Sequence, residues 1–219
     1  MAGSVYFPVS ASGASAVVAS SRRSVVVRVT HWITAFCFLA LLVSGVEILI
    51  SHPRFYWGEA GNVLTSPLFK LPIPSSRSSV PTGFGYVLAD QNGWSRYLHF
   101  QAAWAVVLTG AVYLIFGFLK GHFRKTLLPD RAAVSSYSIP QRVTYLSVIF
   151  VLFPLVIWTG LAMSPGFASA FPWAVSILGG QQSARTIHFF ISISLVVFFV
   201  VHVVMVSVSG FRSRMRGML

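Results

Sequence analysis

Most of the side chains in this chain that could bind a metal are histidines: six of them, against four carboxylates and one cysteine. His188 and His202 lie 14 residues apart at the two ends of one apolar run, Ile187 to Val208. On an α-helix that spacing is about 21 Å of rise, and it leaves both rings within about 40° of one face. A polar ring in an apolar segment is costly unless it has a partner. Two imidazoles stacked on one face suit two metal centres at two depths. The commonest intramembrane use of paired histidines is axial ligation of haem iron, and each iron then needs one more ligand from another helix. His31 opens an earlier apolar run on the same side as His202, and His99 opens another on the side of His188. The expected pairs are therefore His31 with His202 (inner) and His99 with His188 (outer). The second nitrogen of each ring needs a hydrogen bond to fix it. Two axial imidazoles leave no open iron position, which favours electron transfer over oxygen chemistry.

The elements that must position these rings follow from composition. The chain is 55% hydrophobic and 9% charged, whereas soluble domains are about 25% charged. Four runs have the roughly 20 apolar residues needed to cross a bilayer: about 32–50, 98–119, 144–163 and 187–208. No β-barrel alternation is present, so the expected fold is all-α, an integral membrane four-helix bundle. Residues 1–21 carry no charge and no basic segment precedes their apolar residues, which predicts a disordered cytoplasmic tail rather than a cleaved leader; 22–219 form one domain.

The net charge of +12 raises nucleic acid as a partner, but the distribution of the basic residues argues for topology instead. With four spans both termini share a side. Eleven of the sixteen Lys and Arg fall on that side, among them Arg22, Arg23, Arg28, Arg124, Lys125, Arg212, Arg214 and Arg216; five fall on the other. The positive-inside rule then makes both termini and the central loop cytoplasmic. These residues orient the chain and touch anionic lipid. Cys37, the single cysteine, excludes an internal disulfide or a thiolate cluster. There is no phosphate-binding loop, no dinucleotide fingerprint and no hydrolase elbow.

Other residues stand out beside the histidine pairs. Glu47, near the outer end of the first span, is a candidate proton relay or a snorkelling carboxylate. Gly45, Gly110 and Gly117 leave room for a helix or a flat macrocycle. Pro154 is expected to kink the third span. The long outer loop opens with His52, Arg54, Tyr56 and Trp57, and with Trp94 these are candidates for docking a partner. His52 could also take the place of His99 as a ligand. On the inner side His122, Arg124 and Lys125 are candidates for quinone and proton exchange.

The pattern of His31, His99, His188 and His202 resembles the bacterial cytochrome b561-type membrane subunits of nickel–iron hydrogenase and formate dehydrogenase. The segments 28–32, 52–58, 90–96 and 121–124 are most similar to the thiosulfate-reductase-type cytochrome b branch. The resemblance implies two non-covalent b haems, a quinone site, the bacterial inner membrane, and a periplasmic redox partner of the molybdopterin-dependent kind. The outer loop does not match the partner-docking segments of the hydrogenase and formate dehydrogenase forms, which leaves the partner open. Homo-oligomer formation is open too. Two other classes compete: a stand-alone transmembrane haem reductase, such as a ferric reductase or the haem partner of methionine-sulfoxide repair, and a proton or metal transporter. Acidic residues are almost absent from the spans, which counts against the transporter.

Overall fold

The computed structural model describes residues 24–62, 64–73, 92–121, 123 and 139–219. The tail expected at 1–21 lies outside them. Four helical segments are long and apolar enough to cross a membrane: Val25–Ser51, Gly93–Leu119, Val143–Ala162 and Gln181–Val208. The protein is an all-α membrane four-helix bundle. The first span is α1 (Val25–Ser51) and the second is α2 (Asn92–Leu119). The third is composite: α3 (Ile139–Ser147), a π turn (Val148–Leu152) and α4 (Phe153–Ala162). Two short helices, α5 (Pro165–Ala170) and α6 (Pro172–Ser176), each begin at a proline, whose missing N–H costs nothing in a first turn. The last span is α7 (Gln181–Val208), followed by α8 (Phe211–Met218).

The helices begin earlier than the apolar runs. α7 starts six residues before Ile187, and α2 six before Leu98. Helical geometry continues through the headgroup layer, where polar side chains are tolerated. A reading based on hydropathy stops at the edge of the hydrocarbon.

Pro154 disturbs its span as expected, and the form of the disturbance is a π turn. Proline has no N–H for the carbonyl of Phe150, and its ring crowds that carbonyl. Just before it the ladder widens, with the Phe153 N–H donating to the Val148 carbonyl five residues back.

Packing is inverted relative to a soluble protein. Large apolar side chains such as Phe36, Val43, Leu108, Ile115 and Val201 face outward, as lipid contact demands. Small hydroxyl residues are buried instead: Thr30, Ser44, Thr109, Thr159, Ser183 and Thr186. Small residues let helices approach closely where no hydrophobic force drives them together. Ser44 and Thr159 have no exposed surface at all.

The closest helix packing pairs α1 with α2, and α4 and the π turn with α7. The bundle is thus two hairpins with a seam between them. Side chains bridge that seam at mid-depth: Phe38 of α1 packs on Val148, Ile191 and Leu195, and its ring lies 5.1 Å from that of Phe199.

On the outer side, β1 (Arg54–Phe55) pairs antiparallel with β2 (Phe69–Lys70). Phe55 is 2% exposed, stacked on Phe69 and touching Phe189 of α7. At the other end α8 folds back onto the start of α1. There the Trp32 indole N–H donates to the Met218 carbonyl, and the Arg28 guanidinium donates to that of Leu219.

Candidate functional site

The fold brings four of the six histidines together as two pairs, each reaching across the seam. His31 of α1 and His202 of α7 have ring centres 6.3 Å apart, and His99 of α2 and His188 of α7 are also 6.3 Å apart. An imidazole nitrogen sits about 2.0 Å from a bound transition metal and about 1.2 Å from its own ring centre, so two axial imidazoles on one metal have centres about 6.3–6.4 Å apart. Both pairs stand at that separation. Among the described residues no group of three or more His, Cys, Asp or Glu side chains is placed to hold a metal ion. Two donors are too few for a bare transition metal, which takes four to six. They are the right number for a metal that carries four equatorial ligands in its own macrocycle. On donor set and spacing, the residues fit haem.

The surroundings of the two pairs differ. In the outer pair the Ser44 hydroxyl lies 3.0 Å from His99 Nδ1, and the Thr159 hydroxyl lies 3.0 Å from His188 Nδ1. In the inner pair Trp32 stands edge-on to His31, and Phe198 stacks on His202 at 5.7 Å. His31 Nδ1 is buried, with no hydrogen-bond partner among the described residues. The apolar layer of Phe38, Ile191, Leu195 and Phe199 lies between the two pairs along α7.

His52 follows directly on the end of α1. Its backbone N–H closes that helix on the carbonyls of Ile48 and Leu49, and its own carbonyl accepts from Arg185. His122, Arg124 and Lys125 lie outside the residues whose side chains are described. Glu47 is half-buried, and its Oε1 has no partner among the described residues. Gly117 is accounted for by ordinary packing, since a side chain there would run into the Phe123 ring; Gly110 faces open space.

The outer segment 52–59 has a role that sequence reasoning missed: it caps α7, the helix that carries His188 and His202. The Gly58 carbonyl accepts from the N–H groups of Gln182 and Ser183, at 3.0 and 3.2 Å. The Gly58 N–H donates to the Ser183 hydroxyl at 2.7 Å, and the Thr186 hydroxyl donates to the Tyr56 carbonyl at 2.7 Å. The first turn of a helix has N–H groups without intrahelical partners, and this loop supplies acceptors for them. Arg185 donates to the His52 carbonyl and lies 5.2 Å over the Phe55 ring.

This corrects part of the docking expectation. Tyr56 is 6% exposed and donates to the Asn62 carbonyl, so its side chain holds the loop together instead of facing a partner. Trp57 and Trp94 do face outward, and Arg54 is half-buried. Sequence reasoning also missed Ser44 and Thr159. Their signal was a small hydroxyl residue followed by glycine within an apolar span, Ser44-Gly45 and Thr159-Gly160.

Residues 22–219 match the family model described as prokaryotic cytochrome b561. Among curated proteins the chain is similar to "Putative protein-methionine-sulfoxide reductase subunit YedZ1" of Azospira oryzae (strain ATCC BAA-33 / DSM 13638 / PS). The two are 28% identical over 203 residues, covering 82% of this chain and 87% of that protein. No solved structure matches at a significant level.

Proposed function

From the premise that this chain belongs to the prokaryotic cytochrome b561 family, and so is a multi-pass inner-membrane electron-transfer subunit that binds haem b, we propose that it holds two b haems and relays electrons between an extracytoplasmic catalytic subunit and membrane quinone. The observation that carries this reading is the pair of histidine couples, each with ring centres 6.3 Å apart, at the two ends of α7. Haem b supplies a one-electron couple when bound.

The chain's own residues do the rest. His31 and His202 hold the inner group, His99 and His188 the outer one. Both hairpins contribute to each pair, so neither site exists in one hairpin alone. The Phe38 layer keeps water out of the space between the sites. With both termini cytoplasmic, the outer pair lies on the periplasmic side, and Trp57, Trp94 and Arg54 provide the surface for the partner, which the family resemblance makes a molybdopterin-dependent enzyme.

The quinone belongs near the inner pair. An open, largely apolar groove of about 350 Å³ runs between the third span and α7, lined by Thr144, Ser147, Leu152, Ser194, Phe198 and Val201. Phe198 forms part of its wall and stacks on His202. A quinone ring and its isoprenoid tail would find apolar walls there, with hydroxyls from Ser147 and Ser194. His122, Arg124 and Lys125 are the proposed proton and charge partners on that side, and Glu47 a separate relay near the outer side.

The name of the Azospira relative favours a second reading of the partner, one that reduces methionine sulfoxide in proteins. The test is a visible spectrum with haem quantitation on the purified protein, followed by reduction with a quinol analogue. About two haems per chain, reducible by quinol, is the expected result. One haem, or none, in folded protein would end the di-haem reading.

A further inference from the structure

We infer that Ser44 and Thr159 are positioning residues for the outer pair: each hydroxyl accepts the Nδ1–H of one imidazole and so leaves Nε2 as the lone-pair nitrogen. The inference rests on the reading that His99 and His188 hold haem.

The direction of each hydrogen bond follows by elimination. A hydroxyl has one proton to donate. Ser44 spends it on the backbone, 2.7 Å from the Ala40 carbonyl and 3.3 Å from that of Leu41. Thr159 does the same, 2.8 Å from the Leu155 carbonyl and 3.1 Å from that of Val156. Toward the imidazole each oxygen is therefore left with lone pairs only, and at 3.0 Å the ring must be the donor.

The two supports have one design. In both, a fully buried hydroxyl residue is followed by glycine. A side chain at Gly45 would stand 3.6 Å from His99 Cε1, and one at Gly160 would stand 3.4 Å from His188 Cε1. Each ring thus lies against a bare stretch of helix, oriented by the hydroxyl beside it. In both, the support comes from the other helix of the same hairpin: α1 supports the histidine of α2, and α4 that of α7. Ring orientation is therefore set within each hairpin and does not depend on the seam. The inner pair has no counterpart for His31, whose Nδ1 is unpartnered among the described residues.

An imidazole that donates a hydrogen bond is a stronger electron donor to its metal and favours the oxidised state. The test is a redox titration of the haem-loaded protein, with visible and low-temperature EPR spectra, in Ser44→Ala, Thr159→Val and Thr159→Ser variants. Ser44→Ala removes a single oxygen and Thr159→Val keeps the shape, so both should fold. The outer haem should become easier to reduce in both, its midpoint potential shifting upward with each hydroxyl lost. Its EPR g-values should shift, and the inner haem should not move. Thr159→Ser keeps the hydroxyl and should behave as the parent. Unmoved potentials and g-values in Ser44→Ala and Thr159→Val, with both haems retained, would overturn the inference. His188→Ala separates the two layers of the argument. If it loses one haem while the hydroxyl variants are silent, only the positioning role fails; if it keeps both haems, the ligand assignment fails.

Discussion

The carboxylate of Glu59 accepts a hydrogen bond from the backbone N–H of Gln181, 3.1 Å away and 122 residues further along the chain. Glu59 is one of only four acidic residues in the protein, and this contact places it at the positive end of α7. The loop and the helix that carries one histidine of each pair are therefore one structural unit.

Removing that contact should loosen the start of α7. Glu59→Ala is expected to cost about 0.5–1 kcal/mol, the usual worth of an exposed carboxylate at a helix N-terminus. Gly180→Ala should cost more. Gly180 has φ of 108°, and a side chain there would stand 2.6 Å from the Gly58 carbonyl. Thermal loss of the outer haem's absorbance measures both. A Gly180→Ala protein as stable as the parent would show that the cap is not built as described.

His188→Ala should remove the outer haem and spare the inner one, and His202→Ala should do the reverse. A filled pocket stabilises the folded chain by mass action, so either variant should also melt earlier. His99→Ala should match His188→Ala, whereas His52→Ala should keep both haems, since it is the His99 ring that stands 6.3 Å from that of His188. Loss of a haem in His52→Ala with both retained in His99→Ala would reassign the outer pair.

The docking surface can be separated from the cap. Trp57 and Trp94 are 60% and 42% exposed, whereas Tyr56 and Gly58 are committed to the loop and to α7. Alanine at both tryptophans, or Arg54→Glu, should weaken co-purification with the catalytic partner and leave the haem spectrum unchanged. Undiminished assembly after all three changes would place the partner elsewhere.

His122→Gln addresses the quinone end. Haem content should stay normal while reduction by a quinol analogue slows about a hundredfold, the lower end for a lost general acid–base group. Normal rates would remove His122 from the site and leave the groove beside Phe198 as the place to mutate next.

The spans and the histidine pairs were legible because they depend on rare residues at long, regular spacings. Only six histidines exist, and a 14-residue interval on a helix has one geometric meaning. Ser44 and Thr159 were not legible in the same way. Serine and threonine are common within membrane helices, and their hydroxyls usually bond the backbone of their own helix, as Ser192 and Ser194 do here. Only the tertiary contact distinguishes a supporting hydroxyl from an idle one. The cap formed by Gly58 and Glu59 was hidden for a different reason. Its donors are backbone N–H groups, which carry no residue-type signature, and its partners are over a hundred residues apart. Pro154 announced a disturbance, but a π turn and a kink share the same cause in sequence.

The seam has a consequence for the protein's life in the cell. The tightest backbone contacts lie within each hairpin, while both histidine pairs cross between hairpins. The cap at Gly58 and the Phe38 layer also cross the seam, so bound haem would add to contacts already present. A cell short of haem would still insert both hairpins, but the looser chain would expose more of its seam to membrane proteases. Abundance would thus follow porphyrin synthesis with no need for a regulator of the gene. A pulse–chase with and without a haem precursor would read this directly, and equal half-lives in the two conditions would contradict it.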